Sequence, residues 1–145
     1  MDKRIYTTYF SRIGKLPEGC VPVAICGGVP PWWRGRPQFR ALAPKRSFFE
    51  EWRRTHDDSL YVRHFDAEVL AGLDQGDVVV RVRELAGSDS VALVCYEVCG
   101  AFCHCHYVAD WLRAGGFDAR EFLLDGDRPY VVAPTWAERR REAAS

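Results

Sequence analysis

The chain predicts a single α/β domain: a small, mostly parallel sheet with helices on both faces. Three observations carry this expectation. Short β-branched and aromatic runs alternate with segments whose apolar residues recur every three or four positions. The clearest strand, "SVALVCY" at residues 90–96, is apolar nearly throughout, as a strand covered on both sides must be. A length of 145 residues suits one domain with a real core.

Each element follows from its residues. "IYTTYF" at 5–10 reads as the first strand. "VPVAIC" at 21–26 reads as the second, with Pro22 near its start, where a missing N–H costs little. Residues 27–45, "GGVPPWWRGRPQFRALAPK", carry Gly and Pro too often for regular structure and form a long loop. Such loops inside compact domains are usually functional. In "SFFEEWRR", Ser47 and Glu50 match a capping box, so Ser47 is the expected N-cap of a short helix. Phe48, Phe49 and Trp52 form its apolar face. Asp57 or Asp58 caps a second helix, with Val62, Phe65, Val69 and Leu73 at helical steps.

Residues 76–86, "GDVVVRVRELA", suit a strand by valine content and a helix by the face Val78, Val82, Leu85 and Ala86. A helix is expected, because parallel strands need a crossover. After the 90–96 strand a helix is expected over about 102–114, burying Val108, Trp111 and Leu112 and ending at Gly115–Gly116. "FDAREFLL" at 117–124 reads as a strand and "YVVAP" at 130–134 as an edge strand. Thr135 with Glu138 caps a last helix, whose run Arg139–Arg141 reads as a solvated face. Residues 1–124 form the domain, and 125–145 form an extension packed on it or trailing from it.

Composition narrows function by exclusion. Twenty basic and 20 acidic residues give a formal net charge of zero, which excludes binding nucleic acid through bulk charge. No apolar run reaches the length of a membrane span, and "MDKRIYTTYF" lacks the pattern of a signal peptide. A reducing cytoplasm is therefore expected, with no membrane partner. There, clustered cysteines serve as metal ligands or reactive thiols more often than as disulfides. Cys26 ends an apolar run and reads as a core residue.

In parallel sheets ligands bind beyond the carboxyl ends of the strands. "FSR", the Pro/Trp loop and "EVCGAFCHCH" leave those ends here. The segment "CYEVCGAFCHCH" at 95–106 holds four of the six cysteines and two of the four histidines.

"VCYEVCGAFCHCHYVADWL" resembles the signature of the domain-of-unknown-function 488 family: a strand ending Cys-Tyr-Glu, a short loop, then Phe-Cys-His-Arg-His opening a helix. "IYTTYFSR", "PPWWRG", "ALAPK" and "VRHFDAEVLAGL" resemble its opening strand, central loop and middle helix, so the likeness runs over roughly residues 4–124. The resemblance implies a small α/β domain and supplies no activity. It carries over to Cys95, Glu97, Cys103, His104 and His106. Cys105 stands in place of the family's Arg, and Val98–Cys99 in place of a common Lys-Pro.

Two chemistries compete at this segment. In the first, Cys103 lies in the first turn of a helix, where free N–H groups and the helix dipole lower a thiol pKa. Cys103 is then the nucleophile, His104 or His106 its base, and Glu97 orients that histidine or acts as a general acid. The plain alternative is a small buried Cys103 that packs helix on sheet. The phosphatase pattern is excluded, because the sixth residue after Cys95 is Ala101 and after Cys99 is Cys105, where an Arg is needed. The second chemistry is zinc, on Cys95, Cys99, Cys103 and His106, in a module without catalysis. The first needs no cofactor.

The loop residues Trp32, Trp33, Arg34, Arg36, Phe39 and Arg40 interleave aromatic and basic groups, suiting a nucleotide or a nucleic-acid strand. The alternative is that the Trp pair fills the gap between loop and core. Thr7, Ser11 and Arg12, with Trp33 and Arg34, are the candidate substrate-binding residues. Whether the protein is an enzyme on a nucleotide-linked substrate or a binding module stays open in the sequence, as does its oligomeric state.

Overall fold

The computed structural model describes residues 3–97 and 100–144. Four parallel strands lie in the order β2-β3-β1-β4, with β1 at Ile5–Tyr9, β2 at Val21–Ala24, β3 at Val91–Cys95 and β4 at Ala119–Glu121. Five α-helices accompany them: α1 Arg46–Thr55, α2 Asp58–Glu68, α3 Gln75–Ala86, α4 His104–Ala114 and α5 Trp136–Ala144. The α/β class therefore holds. No helix among the described residues is long and apolar enough to cross a membrane.

Strand order explains the layering. The steps β2→β3 and β3→β4 move across the sheet in one direction, so right-handed crossovers place α3 and α4 on the same face. The step β1→β2 runs back, which puts its connection on the other face. Side-chain alternation agrees. Ile5, Val23, Val91, Leu93 and Cys95 pack in one core with Phe65, Val78, Val82, Val108 and Trp111. Ala24 and Val94 face the opposite way and pack with Phe10, Cys26 and Trp33. Both faces are covered, but this second layer is built from 3₁₀ turns at 10–15 and 31–33 rather than from α-helices.

The ambiguous segment 76–86 is helical, and its cap explains why. The Asp74 side chain accepts from Asp77 N at 3.0 Å, and Gly87 closes the helix at φ 66°. Asp57 likewise caps α2, accepting from Leu60 N at 3.1 Å. Ser47 does not cap α1. That helix starts two residues earlier, Lys45 holds the cap position without a side-chain bond, and Glu50 pairs with Arg46 at 2.8 Å. "YVVAP" forms no strand, because Tyr130 N donates to Glu121 Oε1 at 2.9 Å rather than to a ladder. "FDAREFLL" contributes only the three residues of β4.

The last helix does use Thr135 and Glu138 reciprocally: Thr135 N donates to Glu138 Oε2 at 2.7 Å, and Glu138 N to Thr135 Oγ1 at 3.3 Å. Arg139, expected in solvent, is instead docked. It binds Asp66 through two bonds of 2.7 and 3.0 Å and lies over the Tyr107 ring. Asp110 on α4 accepts from Trp136 N at 2.5 Å. Covered by the sheet on one side and α5 on the other, α4 is buried from His104 to Leu112.

Candidate functional site

Five elements meet at the carboxyl end of the sheet. β2 runs out through Ile25, Cys26 and the Gly27–Gly28 pair. β3 ends at Cys95 and continues into Tyr96 and Glu97. α4 begins after Cys103, and α1 and α2 bring aromatic side chains across. Between them lies a cavity of about 460 Å³. Phe49, Trp52, Tyr61, Tyr96 and Phe102 form its apolar walls, Arg46 stands at the rim, and Glu97, Cys103 and His104 supply its functional groups. Trp52 and Phe102 stack at 5.4 Å and 24°. This is a concave, largely apolar site with a few converging polar groups, the usual form of a small-molecule site.

Cys103 occupies the N-cap position of α4 in extended backbone, not its first turn. Its thiol donates to Glu97 Oε2 at 3.1 Å. A helix start predicts a lowered thiol pKa here, and the opposite is found. The N–H of Cys105 does pull the pKa down, as a helix N-terminus should, but burial and the charge of Glu97 outweigh it and hold the thiol well above its ordinary value. Cys103 rests protonated, with Glu97 as its acceptor.

His104 has a defined tautomer. Its Nε2 stands 2.9 Å from Ile25 O, which can only accept, so Nε2 carries the hydrogen and Nδ1 keeps its lone pair. Nδ1 lies 3.7 Å from Cys103 Sγ. Burial lowers the pKa of His104, keeping the ring neutral. The same reasoning applies to His106, whose Nε2 donates to Ala101 O at 2.7 Å and whose ring stacks on Tyr130 at 4.6 Å. Cys26 donates to Gly28 O at 3.1 Å and is pushed up to about 11 by burial.

Behind Cys103 the sulfur atoms of Cys95, Cys103 and Cys105 lie within 4.8 Å of one another, all buried. Cys95 and Cys105 are in disulfide contact, a pairing the expected reducing setting did not anticipate, and Cys103 Sγ is 2.8 Å from Cys95 Sγ. The first turn of α4 folds back over the helix-facing side of β3, which brings Cys105 to Cys95. Cys105 therefore stands in the set where Cys99 was expected; Cys99 lies outside the described residues.

The substrate-binding candidates fall elsewhere. Thr7 is buried inside β1, and its hydroxyl has no partner among the described residues. Trp33 is fully buried and donates to Pro37 O at 3.0 Å, so it fills the gap between loop and sheet. Arg12 pairs with Asp127 and lies over the Tyr9 ring. Ser11 and Arg34 are exposed and do not line the cavity. The sequence reading missed the aromatic wall from α1 and α2, Tyr61 above all. Its signal was present: α1 and α2 carry more aromatic residues than one short helix face needs.

A family model described as "Active DUF488-N3 subclade" matches residues 12–116. The match starts after β1 and stops before β4, and it includes the whole cavity wall. No curated protein and no solved structure matches the chain.

Proposed function

The chain belongs to the DUF488 family, and from that premise we propose that it is an enzyme whose cavity takes the base of a nucleotide or of a nucleic-acid strand. The observation that carries the reading is the fixed Glu97 carboxylate on the wall of an aromatic-lined cavity large enough for a planar heterocycle. The flat face of a base packs on the Trp52 and Phe102 side, and its polar edge meets Glu97. A carboxylate held by the Cys103 thiol in an apolar wall is suited to accept a proton from such an edge and to return one. Cys103 positions that carboxylate through its S–H. His104 braces the start of α4 by tying it to Ile25 at the end of β2. The cation at the rim, Arg46, suits a phosphate. The word "Active" in the subclade's description is in keeping with a reacting site.

The test is binding of 5′-mononucleotides and short single-stranded oligonucleotides, followed by quenching of tryptophan fluorescence. Base stacking on an aromatic ring is worth about 1–3 kcal/mol, so Trp52→Ala should weaken binding by about 5- to 150-fold. Glu97→Gln should bind but lose turnover of any substrate found. Absence of binding at millimolar nucleotide, or affinity indifferent to Trp52→Ala, removes the reading.

A further inference from the structure

We propose that, with its thiols reduced, the protein holds one thiophilic divalent ion of the zinc class on Cys95, Cys103 and Cys105, with Glu97 completing the ligand set. The proposal does not depend on what the aromatic cavity binds.

Three independent features converge on it. The first is donor placement. The end of β3, the cap of α4 and its first turn bring three sulfurs within 4.8 Å of one another, each residue 4% exposed or less. The second is space. A small cavity of about 10 Å³ lies beside these sulfurs, lined also by Glu97, His106 and Glu121. That volume admits a single small occupant. The third is the availability of a fourth donor. Glu121 is committed, since its two oxygens accept from Gly100 N at 3.1 Å and Tyr130 N at 2.9 Å. Glu97 Oε2 stands 3.1 Å from Cys103 Sγ, outside the group of three sulfurs, so its side chain turns toward Cys95 and Cys105 to complete the set.

Donor chemistry then selects the ion. Thiolates favour soft or borderline metals over magnesium or calcium, and zinc takes four ligands from sulfur, nitrogen and carboxylate oxygen. Binding releases the protons of the three thiols and replaces the Cys103 S–H as the group that fixes Glu97. The three sulfurs are buried under the first turn of α4, the position of a structural ion.

The test uses the full chain purified under a reductant that does not bind zinc. Metal content is measured before and after dialysis against zinc, and cobalt(II) is then titrated into the metal-stripped protein. The expected result is one metal per chain and a thiolate-to-cobalt charge-transfer band. The band should disappear in Cys105→Ser and persist unchanged in Cys20→Ser and Cys26→Ser. Thiol labelling of the wild type covers the case in which Cys105→Ser fails to fold: a chelator should expose three thiols that zinc protects. Less than about one ion per ten chains after dialysis, or a full cobalt band in folded Cys105→Ser, overturns the proposal. Nucleotide binding is scored separately on Trp52→Ala, so either idea can fail alone.

Discussion

Replacing Arg139 by alanine tests how the C-terminal segment is held. Its guanidinium makes two bonds to Asp66, a third of 2.7 Å to Pro134 O, and a face contact with Tyr107 at 5.3 Å. The side chains of Arg139 and Asp66 are 11% and 19% exposed, and Asp110, 3.7 Å away, is 7% exposed. Removing one partner of a fully buried pair costs about 3–5 kcal/mol. Residual solvent at Asp66 and relaxation of a terminal helix reduce this to about 2–3 kcal/mol. For a chain of this size that corresponds to a fall in Tm of roughly 5–10 °C. Urea unfolding of Arg139→Ala, Asp66→Asn and the double variant should give a coupling of about 1–2 kcal/mol. Arg140→Ala, one residue on and exposed, should change stability by less than about 0.5 kcal/mol. If Arg139→Ala is no worse than Arg140→Ala, the docking argument is wrong.

Further outcomes follow from the same coordinates. Asp57→Ala and Asp74→Ala should each cost about 1 kcal/mol in chemical denaturation, while Ser47→Ala should stay within about 0.5 kcal/mol, because Ser47 caps nothing. A Cβ on Gly115 would meet the Gln75 side chain at 2.7 Å, where Gln75 Nε2 donates to Trp111 O. Gly115→Ala should therefore cost about 1–2 kcal/mol, and adding Gln75→Ala should recover part of it in thermal melts. Burial raises the pKa of Asp110, against the pull of Trp136 N, Arg139 and Arg113 and with Asp66 adding to the rise. A raised folded value means its contribution to stability is fully present below the ordinary aspartate pKa and is lost as pH rises through the folded one. Melting curves of Asp110→Asn against pH should lack that loss. Equal pH dependence in both proteins would contradict it.

The sequence exposed the fold where local and tertiary forces agree. β3 was legible because a central parallel strand must be apolar on both sides. α3 was legible only through topology, since its valines favour a strand and its asparagine-like cap, Asp74, went unread. The second layer was hidden because 3₁₀ turns have no apolar period to detect. Arg139 looked solvated because its flanking glutamates suggest local pairs, whereas its partners stand on α2 and α4. At the candidate site, the meeting of Glu97, Cys103 and His104 at one cavity was legible, and protonation was not. A cysteine at a helix start suggests a thiolate in any sequence. Only burial and the approach of Glu97 reveal that the proton stays.

The double cover on α4 has a consequence for motion. Its amides should exchange with solvent among the slowest in the protein, since water must first displace either the sheet or α5. Displacing α5 is the cheaper opening, and it frees the face of α4 that carries Tyr107 and Asp110. Its start, from Cys103 to Cys105, is held by the sheet and by His104 on Ile25. One helix thus has a face that can breathe and a start that is held still, and Cys103 and His104 sit at the held start.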